Sequence, residues 1–142
     1  MKTTRVKAEE INHKWYLIDA KDKTLGRMST RIAKILMGKN KVTYSPDQDN
    51  GDAVIVINAK YVRFTGSKLQ QKIYYRHSGY VGNLKELTLK EMMAKDPTKV
   101  ISLAVKRMLP KNKLNSKMMT RLMVYNEGAH PHKAQNPEQI NF

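Results

Sequence analysis

The segment that most constrains the fold is the apolar run AVIVIN at residues 53–58, near the middle of the chain. A strand with one face in water alternates apolar and polar residues, and this run does not alternate. It is also far shorter than the roughly 20 residues that a membrane-spanning helix needs. We therefore predict a short strand covered on both faces, as in parallel sheets packed between helices.

Three further segments have the composition of short strands. They are residues 14–20 (KWYLIDA), 60–66 (KYVRFTG) and 72–79 (KIYYRHSG). Polar turns bound the first segment, and a glycine ends each of the other two. Because helical patterns lie between and after these strands, we predict an α/β layer fold rather than a helix bundle or a β-sandwich.

The clearest helix covers residues 24–38 (TLGRMSTRIAKILMG), with Thr24 as its N-cap and Gly38 as its C-terminal stop. At helical spacing its apolar residues share one face: Leu25, Met28, Ile32, Ile35 and Leu36. Only cations lie on the opposite face and just beyond it: Arg27, Arg31, Lys34, Lys39 and Lys41. A solvated polar face is the simplest interpretation of one such helix. The lack of carboxylates on that face favours an anionic partner instead.

Two more helices are predicted in the second half of the chain. Residues 88–91 (TLKE) match a capping box that opens a short helix. Residues 96–109 (DPTKVISLAVKRML) place Asp96 at an N-cap and Pro97 at the first helical position. Pro110 ends this second helix.

The chain after Pro110 allows two structures. Apolar residues fall at helical spacing: Leu114, Met118, Leu122 and Tyr125. Cations form a second row at i, i+4 and i+8: Lys113, Lys117 and Arg121. Part of RLMVY, residues 121–125, could instead be a strand, and propensity does not decide between the two.

The length of 142 residues fits one domain with its own core. We assign residues 1–13 to an N-terminal extension and residues 14–125 to a single α/β domain. Residues 126–142, rich in Asn, Gln and Pro, are predicted to form an extended tail.

The net charge is the strongest indication of function. Lys and Arg number 27 against 12 Asp and Glu, which gives +15 and a pI near 10.0. A compact protein with that excess repels itself unless a polyanion neutralises it. Nucleic acid or an anionic membrane is therefore the expected class of partner, and a merely basic surface is the remaining alternative.

Several kinds of functional site are excluded because the required residue types or spacings are absent. There is no cysteine, which excludes disulfides, thiol nucleophiles and cysteine-ligated zinc. Residues 47–52 (DQDNGD) are no EF-hand, since the glycine is one place early and Asn58 stands where the bidentate Glu belongs. A P-loop at residues 38–39 is excluded because Ala33 and Asn40 replace required residues. Residues 79–82 (GYVG) resemble a GxxG clamp but follow a strand, so a turn is predicted.

No enzymatic site is recognised either. His130 and His132 could share a metal, but no third ligand of suitable kind lies near them in the sequence. Histidines in a basic tail more often meet RNA phosphates or solvent. No nucleophile-and-base motif is present. We therefore predict no enzyme, no metal, no cofactor and no small-molecule substrate. The N-terminus lacks the apolar core of a secretory signal, so a soluble cytosolic protein is expected.

The positions of the aromatic residues distinguish a nucleic-acid partner from an anionic membrane. An interfacial membrane helix carries Trp or Phe on its apolar side, whereas the single Trp15 lies in a predicted strand. Aromatic and basic side chains alternate within a short segment: Tyr74, Tyr75, Arg76, His77 and Tyr80. Such groups stack on RNA bases, although the tyrosines could also pack within a sheet. RNA is favoured, and no membrane partner is expected.

Several blocks, taken in order, identify a family. They are KWYLIDAKDKTLGRMSTRIAKILMGKNK, DNGDAVIVINA, TGSK, IYYRHSGYVGNLK, AVKRMLPKNKL and HPHKAQNP. From about Trp15 to Pro137 the chain closely resembles bacterial large-subunit ribosomal protein number thirteen, the universal L-thirteen family. The resemblance implies a three-layer α/β/α domain around a four-stranded, mostly parallel sheet, with basic extensions. It also implies a structural role in the large subunit of the cytoplasmic ribosome, entered early in assembly.

The implied partners are large-subunit ribosomal RNA and neighbouring large-subunit ribosomal proteins. The main alternative is a basic RNA-binding protein outside the ribosome that acts as a translational regulator. An enzyme acting on nucleic acid is a more distant alternative.

The charge pattern and the resemblance together give a set of predicted RNA contacts. Residues 104–125 supply six cations and no carboxylate, and a carboxylate there would repel phosphate. The full set is Arg27, Arg31, Lys34, Lys39, Lys41, Lys68, Tyr75, Arg76, His77, Lys106, Arg107, Lys111, Lys113, Lys117, Arg121, His130 and His132.

Three departures from the family pattern stand out. Asp47 occupies a position that is usually histidine, and Arg107 replaces a usual glycine. Residues 111–117 (KNKLNSK) also lack the usual glycines. These changes leave the shape of the loop after Pro110 open, but they add cations, which suits the same partner.

We expect folding to require no metal or nucleotide, because every candidate ligand set or phosphate loop fails on spacing. Circular-dichroism melting curves recorded with and without EDTA, calcium or ATP should overlay. A metal-dependent rise in Tm that disappears when His130 and His132 are replaced would contradict this expectation.

Overall fold

The computed structural model describes residues 6–141. The strands are β1 (Trp15–Asp19), β2 (Ala53–Ile57), β3 (Ile73–His77), β4 (Leu84–Thr88), β5 (Leu122–Val124) and β6 (Glu138–Gln139). The α-helices are α1 (Leu25–Met37), α2 (Lys68–Gln71), α3 (Leu89–Lys95), α4 (Pro97–Met108) and α5 (Leu114–Thr120). Short 3-10 helices lie at Ala8–Glu10 and Ala59–Tyr61. Within residues 6–141, no helix is both long enough and apolar enough to cross a bilayer.

The main sheet has four strands in the order β5-β2-β1-β6, and each neighbouring pair is parallel. Strand β2 lies between two neighbours, and its first four residues are buried. Val54 and Val56 belong to the main core with α1 and α4, whereas Ile55 points to the opposite face and is also fully buried. Burial on both faces explains why AVIVIN does not alternate, and it confirms that prediction.

The predicted α/β fold with a four-stranded parallel sheet is therefore confirmed, and the sheet with its helices fits a three-layer arrangement. Helix α1 buries Met28, Ile32 and Leu36 in the core and packs against α4. It ends at Gly38, whose φ of 76° is left-handed and whose N–H reaches the Ile35 carbonyl oxygen. Thr24 is the N-cap, as predicted, but its side chain makes no capping hydrogen bond.

A second unit, which we call the hairpin lobe (residues 68–95), is built from α2, the antiparallel β3–β4 pair and α3. Tyr74 is buried there with Leu89 and with Val100 of α4. The capping box of Thr88 and Glu91 is present, with both of its hydrogen bonds. This confirms the predicted helix start at residues 88–91.

The predicted strand at residues 60–66 is wrong. Asn58, at φ 59°, turns the chain out of β2, and the Tyr61 N–H bonds back to the Asn58 carbonyl oxygen at 3.0 Å. Both edges of β2 are already occupied by β1 and β5, so no edge of that strand remains for pairing. Only Arg63 makes a β-bridge, with Thr24.

The open choice at residues 121–125 is decided in favour of a strand, because β5 pairs with β2. Helix α5 ends at Thr120, so Leu122 and Tyr125 do not continue its apolar face. Arg121 lies after the helix rather than in a row with Lys117. The predicted three-cation helical row is therefore wrong.

The tail also contributes to the sheet. Strand β6 pairs with β1, and the Ile140 N–H bonds to the Leu17 carbonyl oxygen at 2.9 Å. Residues 126–141 thus run beside the domain and return to its edge.

Gly51→Ala should strongly destabilise the protein. A Cβ at Gly51 would lie 1.7 Å from the Leu36 carbonyl oxygen, a backbone atom that cannot rotate aside as a side chain would. We expect a decrease of about 3 kcal/mol or more in the free energy of unfolding, measured by urea titration. Gly26→Ala is the matched control: its Cβ meets nothing within 4 Å, and alanine within α1 should add about 0.5–1 kcal/mol. Equal urea midpoints for the two variants would contradict the close approach of α1 and β2.

Candidate nucleic-acid interface

The acidic loop before β2 holds one of the predicted RNA-contacting lysines inside the protein. The Asp52 side chain is fully buried and accepts from the Lys14 N–H at 2.9 Å and from Lys41 Nζ at 2.5 Å. Lys41 Nζ also donates to the Asn12 and Asn50 carbonyl oxygens at 2.7 and 2.9 Å. An ammonium group with three internal acceptors has no donor left for a phosphate. The structure thus uses Lys41 to join the N-terminal segment to this loop.

Arg121, like Lys41, forms an ion pair with a carboxylate of this loop. Its guanidinium forms a bidentate ion pair with Asp49, with Nη1 at 2.6 Å from Oδ2, and Nη2 lies 3.4 Å from the Leu36 carbonyl oxygen. Both side chains are mostly buried. The guanidinium therefore faces the end of α1 rather than solvent.

The two tail histidines also lie against the protein. The His132 ring is 5.5 Å from the Trp15 ring, and its Nε2 is 2.7 Å from the Tyr125 hydroxyl oxygen. His130 lies beside His132, and its Nδ1 is buried without a hydrogen-bond partner. No cluster of three metal-ligating side chains occurs in the part of the chain that the structure describes.

Other carboxylates serve the fold. Asp96 caps α4 and accepts from the Thr98 hydroxyl at 2.5 Å and from the Lys99 N–H at 3.4 Å. The hydrogen bond from Thr98, followed by the contacts with Lys99, lowers the pKa of the Asp96 carboxyl. Its capping contribution is therefore present at neutral pH and disappears as the pH falls through that lowered pKa. Glu127 forms an exposed ion pair with Lys60 at 2.9 Å.

Most of the remaining predicted cations are exposed. Arg27, Arg31 and Lys34 lie on the outer face of α1, and Lys39 follows its end. The end of α4, the next loop and α5 expose a second group: Lys106, Arg107, Lys111, Lys113 and Lys117. No carboxylate occurs between Asp96 and Glu127, so this second group forms a continuous basic segment.

The hairpin lobe carries the predicted aromatic contacts. Tyr75 is 61% exposed, and Arg76 and His77 are exposed as well. Tyr80, at the turn, is 78% exposed and lies outside the predicted set of contacts. Tyr74 is different, since it packs inside the lobe, in line with the alternative interpretation of these tyrosines. Burial raises the pKa of its hydroxyl despite the nearby Arg107 guanidinium.

A cavity of about 270 Å³ lies where α1 begins, α4 ends and the hairpin lobe joins them. We call it the basic cleft, because four of its lining residues are cations: Arg63, Lys68, Lys72 and Arg107. Lys68 and Arg107 are among the predicted contacts, whereas Arg63 and Lys72 are not. Arg63 was assigned to a strand that does not form, and only the fold brings Lys72 to the others. No sequence spacing indicates this grouping.

Comparison with known proteins gives consistent results. The family model described as Ribosomal protein L13 matches residues 13–131. A protein from Thermotoga petrophila named "Large ribosomal subunit protein uL13" is 59% identical over 141 residues, which cover 99% of this chain and 95% of the relative. The proteins of that name from Aquifex aeolicus and Clostridioides difficile are 57% and 54% identical, covering 99% and 100% of this chain and 97% and 99% of theirs.

These relatives match over nearly their whole length and are named as ribosomal proteins rather than enzymes. The identity is well above what shared fold alone would require, and the family model spans most of the domain. The chain therefore belongs to the ribosomal protein L13 family.

Proposed function

We propose that this protein is a structural constituent of the large subunit of the cytoplasmic ribosome, that it binds large-subunit ribosomal RNA and that it takes part in early subunit assembly. Neighbouring large-subunit ribosomal proteins are its further partners. The names and coverage of the relatives support the ribosomal assignment. The observation that carries RNA binding is the separation of charge: Asp49, Asp52 and Asp96 hold internal partners, while long basic segments lie exposed.

The proposed contacts fall into two basic groups. The first is the outer face of α1 with Lys39, and the second runs from Lys106 to Lys117. Exposed ammonium and guanidinium groups bind phosphate without reading the base, so they fix position rather than sequence. Lys41 and Arg121 contribute indirectly: their ion pairs with Asp52 and Asp49 hold the loop before β2, which passes the end of α1. His130 and His132 hold the tail against Trp15.

The hairpin lobe supplies a different kind of contact. Tyr75 and His77 share the outward face of β3, because side chains alternate along a strand and Tyr74 faces inward. Tyr80 extends this exposed aromatic surface at the turn. Unpaired bases can stack on such rings, with Arg76 providing charge nearby. We propose that the lobe contacts unpaired nucleotides, whereas the two basic groups contact backbone.

Sedimentation tests the ribosomal role against the free-regulator alternative. In a gradient of source-cell lysate, quantitative mass spectrometry should place this protein in large-subunit and whole-ribosome fractions at about one copy per subunit. A ribosomal protein from the same fractions serves as the internal standard. Recovery mainly in the light fractions, or far below one copy per subunit, would favour the translational regulator.

The salt dependence of RNA binding tests the second basic group. Lys113→Ala with Lys117→Ala should flatten the slope of log affinity against log salt, by roughly 0.7–0.9 for each phosphate that the variant no longer binds. Binding to large-subunit RNA should weaken at moderate salt, with the melting temperature nearly unchanged, because both side chains are exposed. An unchanged slope would mean that this group is only solvated.

Two controls accompany that double variant. Lys7→Ala with Lys133→Ala removes the same charge from exposed positions outside the proposed contacts and should change the slope less. Arg121→Met should act on the fold instead, because it leaves Asp49 without its partner. We expect it to lower the free energy of unfolding by about 1.5–3 kcal/mol, measured by urea titration.

A further inference from the structure

The basic cleft concentrates positive charge in one cavity. Its lining contains four cations and no carboxylate, together with the hydroxyls of Thr24 and Thr65. Apolar walls are provided by Phe64, Leu89 and Met108. The volume of about 270 Å³ is slightly below the ~300–1,000 Å³ usual for small-molecule sites. Such a space suits a small anionic group with part of what is attached to it.

Uncharged neighbours position the cations of the cleft. Lys72 Nζ lies 5.5 Å from the centre of the Tyr74 ring, and the Arg107 guanidinium carbon lies 5.8 Å from the same ring. The ring is itself fixed by burial within the lobe. Lys68 Nζ donates to the Thr65 hydroxyl at 3.3 Å. An aromatic ring or a hydroxyl orients a cation without neutralising it, so these charges stay available to an anion.

Ion pairs do not compensate the cleft either. Within residues 6–141, Arg63, Lys68, Lys72 and Arg107 form no salt bridge with a carboxylate. This contrasts with Lys41 and Arg121, whose carboxylate partners are buried or half-buried. Bringing four like charges to one cavity costs energy that a bound anion would recover.

The backbone around the cleft also leaves space. Gly26 lines the cavity, and a Cβ added there would meet no atom within 4 Å. It lies in the first turn of α1, which Thr24 does not cap with its side chain. The positive end of the helix therefore adds to the field that the four cations create.

We propose that the basic cleft is a specific phosphate site, which binds one backbone phosphate of an RNA strand between the α/β body and the hairpin lobe. The choice of RNA as the source rests on the proposed function. Phosphate fits better than a carboxylate because its oxygens can accept from several donors at once, including the guanidinium forks of Arg63 and Arg107. The sugar or base attached to it would lie on Phe64.

Binding there would have a structural consequence. Arg63 and Arg107 belong to the α/β body, whereas Lys68 and Lys72 belong to α2 and its end. A phosphate held by both sets fixes the lobe on the body, and with it the direction of Tyr75. The cleft would thus orient the aromatic surface that contacts unpaired nucleotides.

The first test uses the full chain and inorganic phosphate as the probe. In amide NMR titrations at low ionic strength, saturable shifts are expected at Gly26, Thr65 and Lys68. Arg63→Gln with Lys72→Gln should weaken phosphate binding about tenfold or more, since the loss of even one charged hydrogen bond costs about that factor. Lys7→Gln with Lys133→Gln, which removes the same charge elsewhere, should change it less than about threefold by the weak effect of distant screened charges.

Gly26→Leu provides a second variant that leaves the charge unchanged. It places an apolar side chain where glycine leaves the cleft open, and leucine is well tolerated in a helix. Weaker phosphate binding with an unchanged melting temperature would support the site. Unsaturable shifts spread over all exposed cations, or equal weakening in the two double variants, would overturn it.

The second test separates the source of the phosphate. A short single-stranded RNA should displace inorganic phosphate and shift the same amides. If RNA binds elsewhere and phosphate stays in the cleft, the assignment to an RNA strand is wrong, although the protein still binds RNA. Failure of the proposed function would look different, because sedimentation would then find the protein outside the large subunit.

Discussion

The close passage of residues 49–52 against the end of α1 is the constraint on which the rest of the structure depends. Gly51 lies against the Leu36 carbonyl group, where no side chain fits, and the Asp52 N–H bonds to the Ile35 carbonyl oxygen at 3.2 Å. Gly38 meets the same loop from the helix side. With the helix end and the strand start joined in this way, β2 enters the sheet with both faces covered. Strands β1 and β5 pair with its two edges.

The same loop keeps two carboxylates inside the protein, apart from the exposed basic segments. Asp49 pairs with Arg121, 72 positions away, which ties the end of α5 to the core. Asp52 pairs with Lys41 and accepts from the Lys14 N–H, and Lys41 also donates to the Asn12 carbonyl oxygen, so the N-terminal segment is tied to the same loop. Burying an ion is costly unless it is paired. Both carboxylates have a cationic partner, while Asp52 Oδ2 and Arg121 Nε are buried without a hydrogen bond. Carboxylates retained inside do not repel phosphate, so the outer face of α1 and the segment from Lys106 to Lys117 stay strongly basic.

The proposed RNA contacts differ in chemistry between the body and the lobe. The α/β body presents cations on helices and a loop, which suit the backbone of a folded RNA. The hairpin lobe presents exposed rings at Tyr75 and Tyr80, which suit unpaired bases. Tyr74 connects the two parts, since its ring packs on Leu89 and Val100 and touches cations of the cleft. A structural protein that holds two kinds of RNA surface together would need such a junction.

The sequence by itself determined the elements whose signals are local. The unbroken apolar run of β2, the amphipathic pattern of α1 and the capping box at Thr88 each depend on residues within a few positions, and each is predicted correctly. Only the tertiary structure decided which cations are held inside and which share a cavity. Arg121 and Asp49 are 72 positions apart, and the residues of the basic cleft come from α1, the loop after β2, the hairpin lobe and α4. The sequence gives the charge of each side chain, whereas the folded chain determines which charges lie close together. Electrostatic pairing depends on that distance in space.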